Sequence, residues 1–251
     1  MSKVVAAIDN SSAARPVLAT AAAVARLLSA ELEAVHVRVD GARTAQAAAA
    51  AAGLPLRVLS GRAVESLLRA GEADGVFALV LGARATRSGR RPAGHVALEL
   101  ALSLGKPLVV VPPHAPAPLA VERILVPLDG TAATAGALAN TLRLARNRAL
   151  EVIVLYVHDE ARIPLFGDQP QHELEAWTHE FLARHCPHPE DVRLELRTGV
   201  PATHVLKVAE EAKADLIALA WSQTLEPGRA AVVREALERS RVPLLLVPSH
   251  G

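Results

Sequence analysis

The chain has 251 residues, 51% of them hydrophobic, and its 27 basic and 26 acidic side chains leave a formal net charge of +1. A balance so close to neutral supplies no field to recruit nucleic acid, and two tryptophans, one tyrosine and three phenylalanines are too few to stack single-stranded bases, so a nucleic-acid partner is excluded. The lone cysteine, Cys186, excludes an internal disulfide framework and points to a reducing, cytoplasmic setting. No signal-peptide core follows Met1, and the most apolar helix, Leu18 to Leu28, is interrupted by Arg26 and too short to span a bilayer, so no membrane partner is expected.

In chain order, the first predicted strand is Lys3-Val4-Val5-Ala6-Ala7-Ile8, followed by Asp9-Asn10-Ser11. The pattern returns 120 residues later as Arg123-Ile124-Leu125-Val126-Pro127-Leu128, then Asp129-Gly130-Thr131. A short, β-rich apolar run is a strand covered on both faces, and a polar group at its carboxyl end is where open α/β sheets bind ligands. Alanine-rich helices follow over Ala13 to Ala30 and Ala132 to Asn147, with serine, threonine and asparagine before them as N-caps. Second strands come next, Glu33 to Val37 and Glu151 to His158, so each half opens with a right-handed βαβ unit.

The halves then differ in length. The first carries an alanine run, Ala45 to Ala52, before its third strand, Leu56 to Leu59. The second has an insertion, 158–191, with Pro164 and Pro170 in a loop and a helix from about Glu173 to Arg184, before a strand at Val192 to Leu196. The copies realign at the glycine turns Gly61 and Gly199, each leading through a helix to a fourth strand, Val76 to Leu81 and Leu216 to Ala220. Each half closes on a helix and a fifth strand between prolines, Pro107 to Pro112 and Pro243 to Pro248. The expected domains are 1–113 and 123–251, with the proline-rich 114–122 as linker.

A strand ending in aspartate, a His-Val strand, a glycine turn, a Val-Leu-Gly strand end and a closing Pro-Leu-Val-Val-Val-Pro, in that order, resemble the universal stress protein family. The resemblance covers nearly the whole chain in two copies. It implies an α/β fold of two tandem doubly wound five-stranded parallel sheets in 3-2-1-4-5 order, joined as a pseudo-dimer through the fifth strands. Apolar edges at Val109 to Val111 and Leu244 to Leu246 would otherwise invite aggregation. Many family members bind ATP at the strand carboxyl ends. The resemblance therefore implies ATP or another adenine nucleotide, with Mg as counter-ion, and a stress-response role in binding and signalling.

In ATP-binding members the phosphates lie on a G-x-x-G-x9-G loop followed by serine or threonine, where glycines let backbone N–H groups approach and a helix N-terminus faces the anion. In the first half Gly82 and Gly94 remain, Ala85 replaces the middle glycine, His95 replaces the hydroxyl residue, and the spacing is one residue short. Arg84, Arg87, Arg90 and Arg91, around Gly89 and with Arg62 nearby, offer guanidinium forks for an anion. The same run reads equally as a solvated basic loop or as a surface for an acidic partner protein. Asp9 aligns with the position that contacts the nucleotide's sugar or base, and Val37 with the backbone that meets adenine. Helix capping and ordinary core packing are their bland counterparts. In the second half Ala220-Trp221-Ser222-Gln223 and Ala230 replace the glycines, so that site reads as degenerate, with Trp221 filling nucleotide space.

His172, His179, His185, Cys186 and His188 crowd the insertion without the spacing of a zinc module, so no metal is expected there. Neither G-x-S-x-G nor a Walker lysine occurs, so no catalytic residue is assigned and the chain reads as a binding protein rather than an enzyme. A nucleotide-free interaction scaffold is the alternative, and a weak nucleotide hydrolase a more remote one. Homodimerisation is compatible with the sequence.

Overall fold

A computed structural model of the chain describes residues 2–38, 41–83, 93–113, 115–158, 170–224, 226 and 230–249, with only the backbone of 170–175. The first half runs β1 (Lys3–Ala7), α1 (Ala14–Leu28), β2 (Glu31–Val37), α2 (Arg43–Ala51), β3 (Leu56–Leu59), α3 (Ala63–Glu72), β4 (Val76–Gly82), α4 (His95–Ser103) and β5 (Leu108–Val111). The second runs β6 (Arg123–Pro127), α5 (Ala132–Asn147), β7 (Glu151–His158), α6 (Pro170–His185), β8 (Val192–Thr198), α7 (Pro201–Glu211), β9 (Leu216–Trp221), α8 (Ala230–Arg239) and β10 (Leu244–Pro248).

The strands form one sheet of ten, ordered β3-β2-β1-β4-β5-β10-β9-β6-β7-β8. Each half is parallel in the expected 3-2-1-4-5 order, and the two five-stranded units join where β5 and β10 pair antiparallel, Val109 opposite Leu245. The apolar fifth strands thus cover each other, which removes two exposed edges.

Parallel strands covered on both faces need apolar residues at every position, and β1 and β6 show it: Val4, Val5, Ile124 and Leu125 are all buried. On one face α1 packs through Val17, Leu18, Ala21 and Val24, at the spacing of a helical stripe, beside α2, α5 and α6. On the other lie α3, α4, α7 and α8, with Leu67, Leu100, Val205 and Val233. Both hydrophobic layers run through both halves. The strand bounds differ little from expectation, β2 starting two residues earlier at Glu31, where it pairs with Lys3. The inserted helix α6 is longer than expected at both ends, from Pro170 to His185.

The antiparallel seam has a geometric consequence. The carboxyl ends of β1 and β4 point to one edge of the sheet, and those of β6 and β9 to the opposite edge. Any ligand sites of the two halves are therefore back to back rather than side by side.

Candidate functional site

Within each half the chain order reverses between the first and fourth strands, so β1/β4 and β6/β9 are the topological switch points where open α/β sheets leave a crevice. Asp9 stands just past β1 and Gly82 ends β4, with Ala7 paired to Leu81 beneath them. Asp9 Oδ1 accepts the Ser11 backbone N–H at 2.9 Å and the Ser11 hydroxyl at 2.5 Å. That closes a tight turn, and Ser11 Oγ in turn accepts from Ala13 N–H at 3.2 Å, ahead of α1. The aspartate is half-buried.

Gly94 is the N-cap of α4, and its N–H bonds to the Ala83 carbonyl at 2.7 Å, which ties the helix N-terminus to the end of β4. At Gly82 a Cβ would meet Val17 Cγ2 at 3.6 Å and Ala13 Cβ at 3.7 Å, ordinary contacts, so the packing alone does not demand glycine. Val37 ends β2 with its side chain in the core and its backbone paired to Leu59. His95 opens α4, exposed, with Nδ1 3.8 Å from Glu99. Asp9, Val37, Gly82, Gly94 and His95 thus share the carboxyl edge of the first half. Arg84, Arg87, Gly89, Arg90 and Arg91 lie outside the described residues. Arg62, at the N-cap of α3, forms an exposed pair with Glu65 at 3.1 Å, a solvated arrangement that positions no anion by itself.

The second half repeats the aspartate turn: Asp129 Oδ1 accepts Thr131 N–H at 3.0 Å and the Thr131 hydroxyl at 2.7 Å, and Thr131 caps α5 at Thr134 N. Its surroundings differ. Gly130 sits against Tyr156 and Phe181, in an aromatic cluster with Trp177 whose centroids are 4.8 to 5.1 Å apart. His185 packs on Phe181 at 4.8 Å; burial and Arg184 push its pKa down, against Asp129, which pulls it up. A cleft of about 580 Å³ lies between the alanine face of α5 and the Cys186-Pro187 turn. Burial pushes the Cys186 thiol up to about 11.

Trp221 ends β9. It is buried, and its indole N–H donates to the Ala101 carbonyl of α4 at 2.6 Å, while Gln223 Nε2 donates to the Leu104 carbonyl at 2.8 Å. The end of β9 and the turn after it thus clamp the carboxyl end of the other half's α4. Trp221 reaches Ala101 because the antiparallel seam brings the carboxyl end of β9 to the carboxyl end of α4. Among the described residues no group of three histidine, cysteine or acidic side chains could hold a metal, and no helix is long and apolar enough to cross a membrane.

Two features escaped the sequence reading. One is the aromatic cluster; the other is a polar link from Asn10 and His36 to Gly41. Overlaying the halves at their 120-residue offset sets Asn10 against Gly130 and His36 against Tyr156, but the partners of these residues come from tertiary approach.

A model described as the universal stress protein family matches residues 120–248. Among solved structures, a universal stress protein from Archaeoglobus fulgidus DSM 4304 is similar with a TM-score of 0.64 at 15% identity, over 98% of this chain and 96% of that one. A functionally unknown protein from Pseudomonas aeruginosa PAO1 is similar with a TM-score of 0.68 at 12% identity, over 98% and 92%. At such identities the likeness is one of fold, and it extends over both halves. No curated protein matches the chain.

Proposed function

Because the chain belongs to the universal stress protein family, we propose that it is a cytoplasmic binding and signalling protein whose first half holds an adenine nucleotide or another phosphate-bearing ligand. The observation that carries the reading is the switch point itself. Asp9 and Gly82 flank it, Gly94 presents the N-terminus of α4 beside them, and the protein's own packing leaves room for a Cβ at position 82. Close approach of a ligand to the backbone is a sufficient reason for glycine there.

In this reading the Asp9 carboxylate, oriented by Ser11, takes the sugar or base, and the backbone of Val37 meets adenine. Amides at Gly82 and Gly94 and the positive end of α4 face phosphate oxygens. Arg84 and Arg87, in the loop around Gly89, neutralise charge, His95 adds a donor, and Mg serves as counter-ion. The second half lacks the glycines and carries no nucleotide; its loop is used as the clamp on α4. The chain binds without turnover, and an acidic protein partner or a second copy reads the bound state.

Photolabelling the full chain with azido-ATP and mapping the adduct tests the reading. Adducts within 82–95 or beside Val37, weakened at least tenfold by Arg84→Ala with Arg87→Ala, are expected, a loss of order 1.4 kcal/mol. Adducts confined to the second half, or none at millimolar nucleotide, would leave a nucleotide-free scaffold as the better description.

A further inference from the structure

His36 is the next-to-last residue of β2 and only 4% exposed. Its Nδ1 lies 2.9 Å from the Ile8 carbonyl oxygen, and its Nε2 lies 3.0 Å from the Gly41 carbonyl oxygen. Carbonyl oxygens only accept. A neutral imidazole carries one N–H, so one ring nitrogen would set its lone pair against a carbonyl oxygen at hydrogen-bond distance; the imidazolium donates to both. A buried polar contact left in that state is costly, which couples the protonation of the ring to the position of the two carbonyls.

Those carbonyls belong to the two loops that border the first-half crevice. Ile8 directly precedes Asp9, and Gly41 lies in the loop between β2 and α2. Asn10 spans the same gap: its Nδ2 donates to the Gly41 carbonyl at 3.2 Å, and its Oδ1 accepts Ala45 N–H at 3.0 Å. In the second half the positions in register are Tyr156 and Gly130, where no imidazole or side-chain amide is present and a Cβ added at position 130 would meet the rings of Tyr156 and Phe181 at 3.6 and 3.7 Å. One half carries a titratable link at this junction, the other aromatic rings.

We propose that His36 is a proton-dependent latch: doubly protonated, it ties the Asp9 loop to the loop before α2, and on losing a proton it lets that rim of the crevice loosen. The ionisable groups carried at this end by the surrounding elements are Asp9 after β1, Arg15 on α1, Arg38 after β2, Arg43 on α2 and Arg57 on β3, the last engaged by Glu33. Asp40 lies outside the described residues. The contacts that distinguish the two protonation states are the carbonyls of Ile8 and Gly41, because the ring touches them directly.

The latch belongs to the ligand-free chain, so it stands or falls independently of nucleotide binding. Amide hydrogen exchange of the full-length protein, corrected for intrinsic rates, is compared between about pH 8 and about pH 6, where histidine charge changes. Protection at Gly41 to Ala45 is expected to rise about tenfold on acidification, the worth of one hydrogen bond to a charged group, and to be pH-independent in His36→Gln. Nitrogen-15 spectra of the wild-type imidazole provide a second readout that needs no variant: both nitrogens protonated at the lower pH. An unchanged pH response in His36→Gln, a flat response in the wild type, or a single neutral tautomer throughout the range would overturn the proposal.

Discussion

Asp9 and Asp129 make the same turn with the same atoms, each Oδ1 accepting the N–H and the hydroxyl of the residue two positions on. The carboxylate therefore has a structural task in both halves, and what separates them is environment: Asp9 is half-buried at a crevice edged by glycine, whereas Asp129 is exposed beside aromatic rings and His185. At this scale Cys186 gives a direct check on burial. Its thiol is 5% exposed and raised from 9.0 to about 11, so at pH 8 it holds about a hundredfold less thiolate than an unfolded one. Reaction with a disulfide reagent such as DTNB is expected to be at least a hundredfold slower in the native protein than in denaturant. Comparable rates would mean that α6 and the turn after it are not packed as described.

Helix α4 shows how an element is held from both ends. Its N-terminus is tied to β4 by Gly94, and two orphan carbonyls near its C-terminus, Ala101 and Leu104, are capped by Trp221 and Gln223 from the other half. Trp221→Ala removes a buried ring and leaves a carbonyl unpaired, and is expected to cost about 3–5 kcal/mol in urea unfolding; Trp221→Phe keeps most of the packing and costs about 1–2 kcal/mol. A loss below about 1 kcal/mol for Trp221→Ala would contradict the clamp. Element positions were legible because their causes are local: an apolar run such as Ile124 to Val126 is a buried strand wherever it lies in the chain, and Thr131 caps α5 through its own neighbours. The α4 clamp was not legible, because it joins residues about 120 apart through side-chain reach, which no periodicity records. The segment between β4 and α4 was read only as glycine spacing and arginine count, and the link from His36 to Gly41 was not read at all, because it follows from tertiary approach.

Across the whole molecule, the seam between β5 and β10 turns a sequence repeat into one ten-stranded sheet with its two topological switch points on opposite edges. The outer strand β8 carries charge, the feature that blunts a sheet edge: Arg193 and Arg197 bracket Glu195, at 3.4 and 2.9 Å. At the other end Glu33 sits between Lys3 and Arg57; burial pushes its carboxyl up, but the two cations outweigh that and hold its pKa below the usual carboxylate range. Opposite edges and unequal surroundings make the two halves structurally distinct within a symmetric frame. Equilibrium dialysis of the full chain against labelled ATP, with and without magnesium, tests that asymmetry most directly. The account predicts saturation at one nucleotide per chain, with affinity weakened at least tenfold by Arg84→Ala with Arg87→Ala; two nucleotides per chain, or none at millimolar concentration, would contradict it.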